Sequence, residues 1–510
     1  MPKSIIIIGG GVAGLAAGCY AQMCGFDTQI FEQHFLPGGL CTSWVRGDYT
    51  FDGCISYLYG SGEGQPFNDL WRDLGVTRET EMIDLDEFIR VRGSDGTEVA
   101  AYADPDRLEA HLLDVAPEDK QAIQAVCRGV RSVAGLDMSL LQNKPRAHMN
   151  PLDWGLIGLR MLPYWGATAR WMHVSAERFA RRFKNPLLRR GFPHMMGWPE
   201  IPMLAGLTML ASMHSGNAGF PKGGSLALAR AIEKRYLELG GEIHYEHRVE
   251  RILVENDRAV GVRLYTDEEF AADYVISAAD FRTTAWKMLR GEYTRNRHRR
   301  LYDGRHPIHS QIQVSLGTTR DLSGEPNWVV HLCDEPVVIA AEERDYLSVK
   351  QFSFDPSLAP PGSSIVEVFL RINYEYWQQI YGHRLYKSEQ VQVEDQVIEY
   401  LERLYPGISG QVTVRDVATP LSYERYTANW QGSSCGWLLT PAMMRRMLIG
   451  MPKTLPGLRG LYLAGQWVEP GGSVPICAAS GRNAVRMVCR DDGRPFRQAT
   501  AAVRHRHRSR

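Results

Sequence analysis

The chain has 510 residues, which is enough for two or more domains with a large core. It carries 58 basic and 58 acidic residues, so no net charge favours nucleic acid as a partner. Its nine cysteines form no C-x-x-C pair, which argues against a disulfide framework or a zinc site and favours reduced thiols in the cytoplasm. We therefore expect a globular protein with no metal site and no nucleic-acid partner, of unknown oligomeric state.

The first residues carry the strongest motif. Ser4 to Ile8 is a continuous apolar run, typical of a strand that is buried on both faces. Gly9, Gly11 and Gly14 follow in the pattern G-x-G-x-x-G, and a helix is expected from Val12 to about Met23. The glycines would make a tight turn, admit a pyrophosphate and let the helix pack on the strand, and the helix would direct its first N–H groups at phosphates.

A second strand, Asp27 to Phe31, ends at Glu32, 18 residues after Gly14. A carboxylate at this point can accept hydrogen bonds from ribose hydroxyls and would repel a 2′-phosphate. A bland glycine-rich turn is the competing interpretation. Because strand, glycines, helix, second strand and acid occur together at the right spacing, the sequence predicts a dinucleotide site.

The next glycines indicate which dinucleotide binds. Pro37-Gly38-Gly39 follows Glu32 closely. This resembles the FAD proteins of the glutathione reductase and amine oxidase superfamily, in which such a Gly-Gly pair packs beside the flavin's phosphates. The resemblance implies FAD as the cofactor. Leu40 stands where relatives usually have Arg, so one phosphate contact is expected to differ.

The region from 86 to 214 is expected to be mostly helical after a β-hairpin formed by Phe88–Arg92 and Glu98–Tyr102. Within it, residues 151–173 contain three Trp and are broken by Pro163. This stretch is too interrupted to span a bilayer. Two interpretations stay open, namely a helix lying in the membrane interface and a buried helix pair lining a cavity. The basic residues 178–190 are most simply a solvated face.

The second half returns to strands. Glu242–Glu255 and Ala259–Tyr265 are expected to form a hairpin, and Asp273–Ala279 a further buried strand. The strand-rich region 306–380 suggests a second sheet that carries a substrate site. Its strands are expected at Gln311–Leu316, Trp328–Leu332, Val337–Ala340 and Ile365–Leu370. Helices are expected at Leu385–Leu404 and Cys477–Cys489. The Arg/His-rich tail from Pro495 is expected to be disordered.

Four separated blocks together resemble the phytoene desaturase, carotene isomerase and retinol saturase family of FAD-dependent oxidoreductases: the N-terminal motif and residues 220–252, 272–289 and 460–488. The resemblance implies an α/β fold in which a Rossmann-like FAD-binding domain is interleaved with an α+β substrate domain. The expected boundaries are 1–85, 215–300 and 450–492 for the FAD-binding domain, 86–214 and 301–449 for the substrate domain, and 493–510 for a basic tail.

The resemblance also implies further cofactor contacts. Val249 would contact the adenine through its backbone, and the Gly465-Gln466 turn would meet the ribityl-phosphate arm. Relatives often have Asp at the position of Gln466. The helix after Gly472 would direct its N-terminus at the flavin ring, where its dipole stabilises negative charge. The complete set of expected FAD-binding residues is Gly9, Gly11, Val12, Ala13, Gly14, Glu32, Gln33, Gly38, Gly39, Leu40, Val249, Gly465, Gln466, Gly472 and Val474.

Glu424 and Tyr426 are the candidate catalytic residues, since either could move a proton at a substrate carbon. A structural ion pair of Glu424 with Arg425 is the competing interpretation. Asp52 is also a candidate polar residue near the flavin, and a turn-forming role beside Gly53 competes with that role.

The segment 419–436 also looks like the family, and more like its isomerase and saturase branch. The expected function is desaturation, saturation or cis–trans isomerisation of a long apolar carotenoid, isoprenoid or polyene. The alternatives are an amine oxidase-like flavoenzyme acting on a smaller polar substrate and a non-catalytic flavin-binding escort protein. We expect a cytoplasmic location, with peripheral membrane contact as a possibility.

Overall fold

A computed structural model describes residues 2–499, so most of the predicted disordered tail lies outside the described residues. The strands are β1 Ser4–Ile8, β2 Asp27–Phe31, β3 Ser43–Arg46, β4 Tyr49–Asp52, β5 Leu58–Tyr59, β6 Met82–Ile83, β7 Glu87–Arg92, β8 Glu98–Tyr102, β9 Ala218–Pro221, β10 Glu242–His244, β11 Val249–Glu255, β12 Arg258–Leu264, β13 Glu269–Ala271, β14 Tyr274–Ser277, β15 Ile308–Thr318, β16 Trp328–Ile339, β17 Glu342–Gln351, β18 Ser364–Arg371, β19 Val412–Ala418, β20 Ser433–Trp437 and β21 Leu461–Leu463. The helices are α1 Val12–Met23, α2 Asn68–Asp73, α3 Val76–Glu79, α4 Pro105–Val115, α5 Lys120–Val133, α6 Pro151–Met161, α7 Trp165–Trp171, α8 Ala176–Ala180, α9 Pro186–Met195, α10 Met203–His214, α11 Gly224–Glu238, α12 Asn296–Arg299, α13 Tyr374–Gly382, α14 Tyr386–Leu404, α15 Pro420–Thr427, α16 Pro441–Ile449 and α17 Val474–Asp491.

A five-stranded parallel sheet in the order β10-β2-β1-β14-β21 forms the centre of the molecule. Its strands come from three separated parts of the chain, and β1 pairs on both sides, with Ile6 opposite Gln29 and Val275. Both faces are covered, which explains why Ile5 to Ile8 are all apolar. The predicted Rossmann-like α/β architecture is confirmed. The exact domain boundaries stay predictions.

Helix α1 is enclosed by close backbone contacts. A methyl group at Gly14 would lie 1.9 Å from the carbonyl oxygen of Gly9, which is the helix-to-strand approach expected for the third glycine of the motif. A methyl group at Gly18 would meet the ring of Tyr236 at 2.6 Å, and one at Gly481 of α17 would lie 2.0 Å from the oxygen of Ala13. Three neighbours therefore approach α1 closely only because these positions lack side chains.

A second sheet of eight strands lies apart from the first. Its order is β19-β15-β18-β17-β16-β7-β8, with β20 paired to β15, and all its pairs are antiparallel except β16 with β7. The hairpin β7–β8 thus joins strands that follow it by more than 200 residues. This is the predicted α+β substrate layer.

Two strand predictions in this half were wrong in detail. The single strand expected over 242–255 is two strands in different sheets, because Glu246 adopts a left-handed conformation (φ 60°) that ends β10. The separate strands expected near 328 and 337 are one strand, β16. Strand β17 was not predicted, because its first four residues, Glu342 to Asp345, are all charged and do not show the apolar pattern of a strand.

The stretch 151–173 folds as α6, a short 3-10 turn containing Pro163, and α7. Helix α6 begins with a capping box, in which the side chains of Asn150 and Asp153 accept each other's backbone N–H groups. None of its residues is buried. Met161, Thr168 and Met172 of this stretch line a cavity while other residues of it are exposed, so the cavity-lining role is borne out in part and the membrane contact stays a prediction.

We predict that Gly481→Ala destabilises the protein by about 1–3 kcal/mol, because the new methyl group would push α17 away from α1. Gly158→Ala on α6 is the matched control. It has open space around it and should be neutral or stabilise by about 0.5–1 kcal/mol. Urea denaturation of both variants checks this. Equal stability of Gly481→Ala and wild type would contradict the close approach of the two helices.

Candidate active site

A cavity of about 380 Å³ lies at the carboxyl ends of β1 and β2, in front of the N-terminus of α1. This is where open parallel sheets bind dinucleotides. Thirteen of the fifteen predicted FAD-binding residues line it: Gly9, Gly11, Val12, Ala13, Glu32, Gln33, Gly38, Gly39, Leu40, Val249, Gln466, Gly472 and Val474. The other two, Gly14 and Gly465, lie behind the lining, where Gly465 packs against Ala13.

The glycine-rich wall is shaped by two stretches that approach each other. Gly11 forms an isolated bridge with Gly38, and the N–H of Gly38 donates to the oxygen of Gly10 (2.9 Å). Gly38 and Gly39 both have positive φ values, 105° and 64°, which side-chain-bearing residues rarely adopt. A methyl group at Gly38 would lie 2.1 Å from the oxygen of Cys41. The wall is therefore bare backbone, as close contact with a diphosphate requires.

Glu32 is buried at the end of β2, and its two carboxylate oxygens accept hydrogen bonds from the backbone N–H groups of Gly10 (2.6 Å) and His34 (2.8 Å). Burial raises the pKa of this carboxyl group, while the two N–H donors oppose that rise. The carboxylate is thus fixed beside the glycine turn, where it can accept further hydrogen bonds from a ribose.

Positive charge faces the same cavity. Five cationic side chains line it: Arg248, Arg251, Arg263, Lys287 and Arg290. The Nε atoms of Arg251 and Arg263 are buried and have no hydrogen-bond partner among residues 2–499. Buried donors without partners indicate a missing acceptor. The bare glycine wall and this cationic lining fit the dianionic diphosphate of FAD, and the Glu32 carboxylate lies where it could accept hydrogen bonds from a ribose.

The sequence reasoning missed the π-helix Thr283–Met288, which lines the cavity through Thr283, Lys287 and Met288. Asp280 precedes it and is fully buried. Its oxygens accept hydrogen bonds from the N–H groups of Thr283 (2.6 Å) and Trp430 (3.1 Å), and burial raises its pKa to about 6. Through these hydrogen bonds Asp280 links the segment after β14, which lines the cofactor cavity, to the segment 428–432. In the sequence, the role of Asp280 could have been predicted only from the presence of an Asp shortly after a buried strand.

A second cavity, of about 470 Å³, lies between the eight-stranded sheet and the helices that cover it. Its helical side is apolar and includes Leu204 and Ala205 of α10 and Met444 and Met447 of α16. Its size lies in the range of about 300–1,000 Å³ that is typical of small-molecule sites. Met161, Thr168 and Met172 also line it, so the 151–173 stretch forms part of the cavity wall.

The two cavities share a boundary. Four residues line both of them: Cys54, Ser434, Gly472 and Val474. Gly472 and Val474 are the residues that were predicted to face the flavin ring. A flavin in the first cavity would thus meet a molecule in the second at this boundary, and we call it the shared boundary below.

The sheet side of the second cavity is polar. The ring Nδ1 of His309 lies 2.9 Å from the hydroxyl of Ser434, which donates to the oxygen of His309 (3.0 Å). Burial lowers the pKa of His309 to about 4, so its imidazole is neutral at pH 7. Lys350 is also buried, and its amine donates to the oxygen of Ile55 and the hydroxyl of Ser56 (3.3 Å each). Burial lowers the pKa of Lys350.

Asp52 fixes the segment that carries Cys54. Its carboxylate accepts hydrogen bonds from the N–H groups of Cys54 (3.1 Å) and Ser225 and from the Ser225 hydroxyl (2.8 Å). Since Ser225 lies in the first turn of α11, the carboxylate is also placed at the positive end of that helix. The oxygen of Glu367 accepts from the N–H of Asp52 (2.9 Å). Asp52 lines the second cavity but is saturated by these donors.

The loop between β21 and α17 is held by buried charges. Lys453 and Glu469 form an ion pair of 2.7 Å in which both side chains are almost fully buried, and Arg146 lies 3.4 Å from the same carboxylate oxygen. The amide of Gln466 donates to the Asn429 side chain (3.3 Å). Removing one partner of a buried pair costs about 3–5 kcal/mol. This loop, which presents Gln466 and Gly472, is therefore rigidly placed.

The candidate catalytic residues Glu424 and Tyr426 do not line the second cavity. The carboxylate of Glu424 accepts a hydrogen bond from Tyr374, and it lines a third cavity, which shares Gly39, Leu40, Tyr426 and Thr427 with the cofactor cavity. Tyr426 lines the cofactor cavity next to His34, whose ring it contacts edge to face at 4.8 Å between centroids. Their predicted role in proton transfer stays a prediction. Lys350, His309 and Ser434 lie in the cavity wall instead, and of these only Ser434 belongs to a segment, 419–436, that the sequence analysis singled out.

Comparison with protein families agrees with this geometry. The family model for flavin-containing amine oxidoreductases matches residues 197–489, which is more than half of the chain. The chain belongs to the flavin-containing amine oxidoreductase family. A model for NAD(P)-binding Rossmann-like domains matches residues 7–74. This member of the family is an FAD-dependent oxidoreductase, and the prediction of FAD is confirmed.

Relatives at modest identity span the whole chain. It is 26% identical to the chloroplastic prolycopene isomerase of Arabidopsis thaliana, over 96% of this chain and 83% of that protein. It is 24% identical to the neurosporene-forming phytoene desaturase of Rhodobacter capsulatus, over 95% and 93%. The crystal structure of an oxidoreductase from Methanosarcina mazei superposes with a TM-score of 0.59 at 17% identity, covering 95% of this chain and 100% of that one. The predicted resemblance to the phytoene desaturase and carotene isomerase group is confirmed.

Proposed function

We propose that this flavoenzyme acts on carbon–carbon single or double bonds of a long apolar carotenoid, isoprenoid or polyene. The observation that carries this proposal is the mainly apolar second cavity, which meets the cofactor cavity at the shared boundary. Bound flavin would supply exchange of a hydride or an electron pair. The chain itself would bind the apolar molecule between α10, α16 and the sheet, keep water out, and orient one bond at the boundary.

The charges of the second cavity argue against a cationic amine substrate. The basic groups Lys350 and Arg371 line it, whereas the carboxylates that line it, Asp52 and Asp137, already accept several hydrogen bonds. An ammonium group would therefore meet the guanidinium of Arg371, and the Oδ2 atom of Asp137 would be its acidic partner in the lining, since both hydrogen bonds to Asp137 are accepted by its Oδ1. A non-catalytic escort protein is also disfavoured, because the substrate-sized cavity is retained next to the cofactor site.

The neutral polar side chains at the sheet side define where a proton could be held. His309 and Ser434 form a hydrogen-bonded pair at the shared boundary. Since the imidazole is neutral at pH 7, its second nitrogen can accept a hydrogen bond, while the lowered pKa disfavours the charged imidazolium. We propose this pair, rather than a charged group, as the polar element nearest the reacting bond.

Among the reactions of this class, we propose that isomerisation or saturation with reduced flavin is the productive one. Prolycopene isomerases match this chain at slightly higher identity than phytoene desaturases do, 26% against 24%. Gln466 is uncharged where an ionised Asp would repel anionic reduced flavin. Both observations favour an enzyme that stabilises the reduced cofactor.

We expect turnover of a cis-polyene by photoreduced holoenzyme under anaerobic conditions, and none by the oxidised holoenzyme. A panel of cis- and trans-carotenoids, analysed by chromatography, checks this. An isomerase would leave the flavin reduced, whereas a saturase would oxidise it once per turnover.

Turnover by oxidised enzyme alone, with flavin bleaching in step with new double bonds, would contradict the proposal and favour a desaturase. Photoreduced free flavin without protein is the control for non-enzymatic isomerisation. Turnover of a diamine but of no polyene would favour the amine oxidase alternative.

We further propose that α6 and α7 rest on a lipid bilayer through which the substrate enters. Exposed apolar side chains cover the outer face of this stretch: Leu152, Trp154, Leu156, Leu159, Leu162 and Trp165. The same stretch also lines the apolar cavity through Met161, Thr168 and Met172. No helix within residues 2–499 is long and apolar enough to cross a bilayer. An interfacial helix over a cavity entrance fits a substrate dissolved in lipid.

The binding should depend on apolar contact rather than charge. Within the basic segment 178–190, Arg181 pairs with Glu177, and Arg189 and Arg190 donate to backbone oxygens of other residues. Trp171, the third Trp of the stretch, is 3% exposed and belongs to the core. Trp171 is therefore unavailable to lipid, whereas the six exposed apolar side chains of the outer face are available.

We expect wild-type holoenzyme to float with phosphatidylcholine vesicles, and a Leu156→Ser, Leu159→Ser, Trp165→Ser variant to stay in the dense fraction with its FAD retained. Val338→Ser with Leu385→Ser, which removes similarly exposed apolar groups elsewhere, is the matched control and should float. Failure of the wild type to float, or flotation of the triple variant, would contradict this surface.

A further inference from the structure

Lys350 is a buried basic residue in the wall of the second cavity. It lies on β17, lines the cavity and is only 6% exposed. Moving a charged group out of water costs free energy unless a partner of opposite charge or several hydrogen bonds compensate. The partners of the Lys350 amine therefore decide whether this residue serves the fold or a ligand.

The amine has only weak partners within the protein. Its Nζ atom donates to the oxygen of Ile55 and to the hydroxyl of Ser56, both at 3.3 Å, which is longer than the usual N–H···O distance of about 2.7–3.2 Å. It also lies 4.6 Å from the ring centroid of Phe352 and 5.5 Å from that of Trp328. An ammonium group has three N–H donors, so one donor is left without an acceptor among residues 2–499.

The neighbouring carboxylates do not contact the amine. Glu367 stands opposite Lys350 in the pairing of β17 with β18, yet no carboxylate oxygen within residues 2–499 lies within 4.0 Å of the Nζ atom. The Oε1 atom of Glu367 accepts from the N–H of Asp52 instead. Burial lowers the pKa of Lys350, and the negative charges of Glu367 and Asp52 oppose that fall. Lys350 therefore has acidic neighbours but no direct ionic partner.

The position of the amine relates it to the shared boundary. Its two acceptors, Ile55 and Ser56, directly follow Cys54, which lines both cavities. Lys350, Ile55 and Ser56 all line the second cavity, so a molecule in that cavity can reach the remaining N–H donor. A ligand atom that is held by the amine would thus lie beside the segment 54–56 that leads to the boundary.

The missing partner is a hydrogen-bond acceptor, because buried donors are normally satisfied. A hydrocarbon has no atom that accepts a hydrogen bond. A carbonyl oxygen accepts hydrogen bonds and donates none, which matches an ammonium group that only donates. A second polar atom of the same lining, the hydroxyl of Thr168 on α7, is also buried without a partner within residues 2–499. The lining is thus suited to a molecule that is mainly apolar but carries oxygen.

We propose that Lys350 binds a carbonyl oxygen at one end of the polyene, so that the substrate is an oxygenated polyene rather than a pure hydrocarbon. The amine donates its remaining N–H to this oxygen, and the conjugated chain extends through the second cavity with one bond at the shared boundary. Lys350 thereby selects the substrate and sets which bond meets the cofactor. It is a positioning residue and forms no covalent bond. This inference rests on the proposed function, which places the polyene in the second cavity.

The first test separates a ligand-binding role from a structural role. If the amine served mainly to hold the segment 54–56, its loss would destabilise the protein, whereas replacing a poorly paired buried charge by an apolar side chain of similar size is often neutral or stabilising. We expect Lys350→Met holoenzyme to retain its FAD and to unfold in urea at a midpoint no lower than that of the wild type. A midpoint far below that of the wild type would indicate a structural role and overturn the assignment to Lys350.

The second test measures binding to oxidised holoenzyme through quenching of Trp fluorescence. The probes are retinoic acid, methyl retinoate and axerophthene, which share one polyene and end in a carboxylate, an ester and a methyl group. We expect the wild type to bind the first two on the order of tenfold or more tightly than axerophthene, because only they accept a hydrogen bond from a charged donor. Lys350→Met should bind all three with the affinity of axerophthene. Tighter binding of the acid than of the ester would identify the oxygen as that of a carboxylate.

Arg371→Met is the matched control for this test. Arg371 is a second cation of the same lining, but it already pairs with Glu200 at 2.8 Å, so its variant should keep the wild-type preference. Equal binding of the three probes by the wild type, or an unchanged preference in Lys350→Met, overturns this inference and leaves the polyene proposal standing. If the wild type binds none of the three, both are overturned. Because the wild type alone gives the first result, the test does not depend on the folding of a variant.

Discussion

The close packing around helix α1 is the constraint on which the rest of the structure depends. Strand β1, the ring of Tyr236 on α11 and the N-terminal part of α17 all approach α1 at positions where only glycine leaves room. This packing brings together three parts of the chain that are separated by more than 200 residues. It fixes the N-terminus of α1, the Gly38-Gly39 stretch and the Gly472 loop around one cavity, so the cofactor site follows from the packing of the core.

The second cavity depends on the first through the segments that form the shared boundary. The 52–57 segment, β20 and the loop before α17 are held by buried polar groups, in particular Asp52 and the ion pair of Lys453 with Glu469. Buried polar groups of this kind must be fully satisfied, so their geometry is well defined. The structure thereby places a largely apolar chamber against the flavin site with fixed side chains at the contact. A fixed contact of this kind is what orientation of a single carbon–carbon bond requires.

The cofactor half of the site could be predicted from the sequence because local rules govern it. Gly9, Gly11 and Glu32 have their roles through short-range spacing, and the structure places them together in one lining. The substrate half could not be predicted in the same way. His309 and Lys350 lie on β15 and β17 of the mixed sheet, whereas Cys54 follows β4 of a separate two-stranded sheet, so these three residues share a cavity lining only through the tertiary fold. Likewise β17 was not predicted, because its first four residues are charged, although its later residues Tyr346, Ser348 and Lys350 line the cavity. Residues such as Glu424 and Tyr426, chosen for chemical type alone, lie outside the apolar cavity.

The central claim is that the chamber beside the flavin site holds the substrate. Ala205 lines that chamber from α10 and does not line the cofactor cavity, so larger side chains at this position should fill only the chamber. The most direct measurement is polyene turnover and FAD content in the series Ala205→Val, Ala205→Leu and Ala205→Trp. The account predicts that turnover falls progressively with side-chain volume and is lost in the Trp variant, while FAD content stays at the wild-type level. Full turnover by an Ala205→Trp enzyme that retains its FAD would contradict the account.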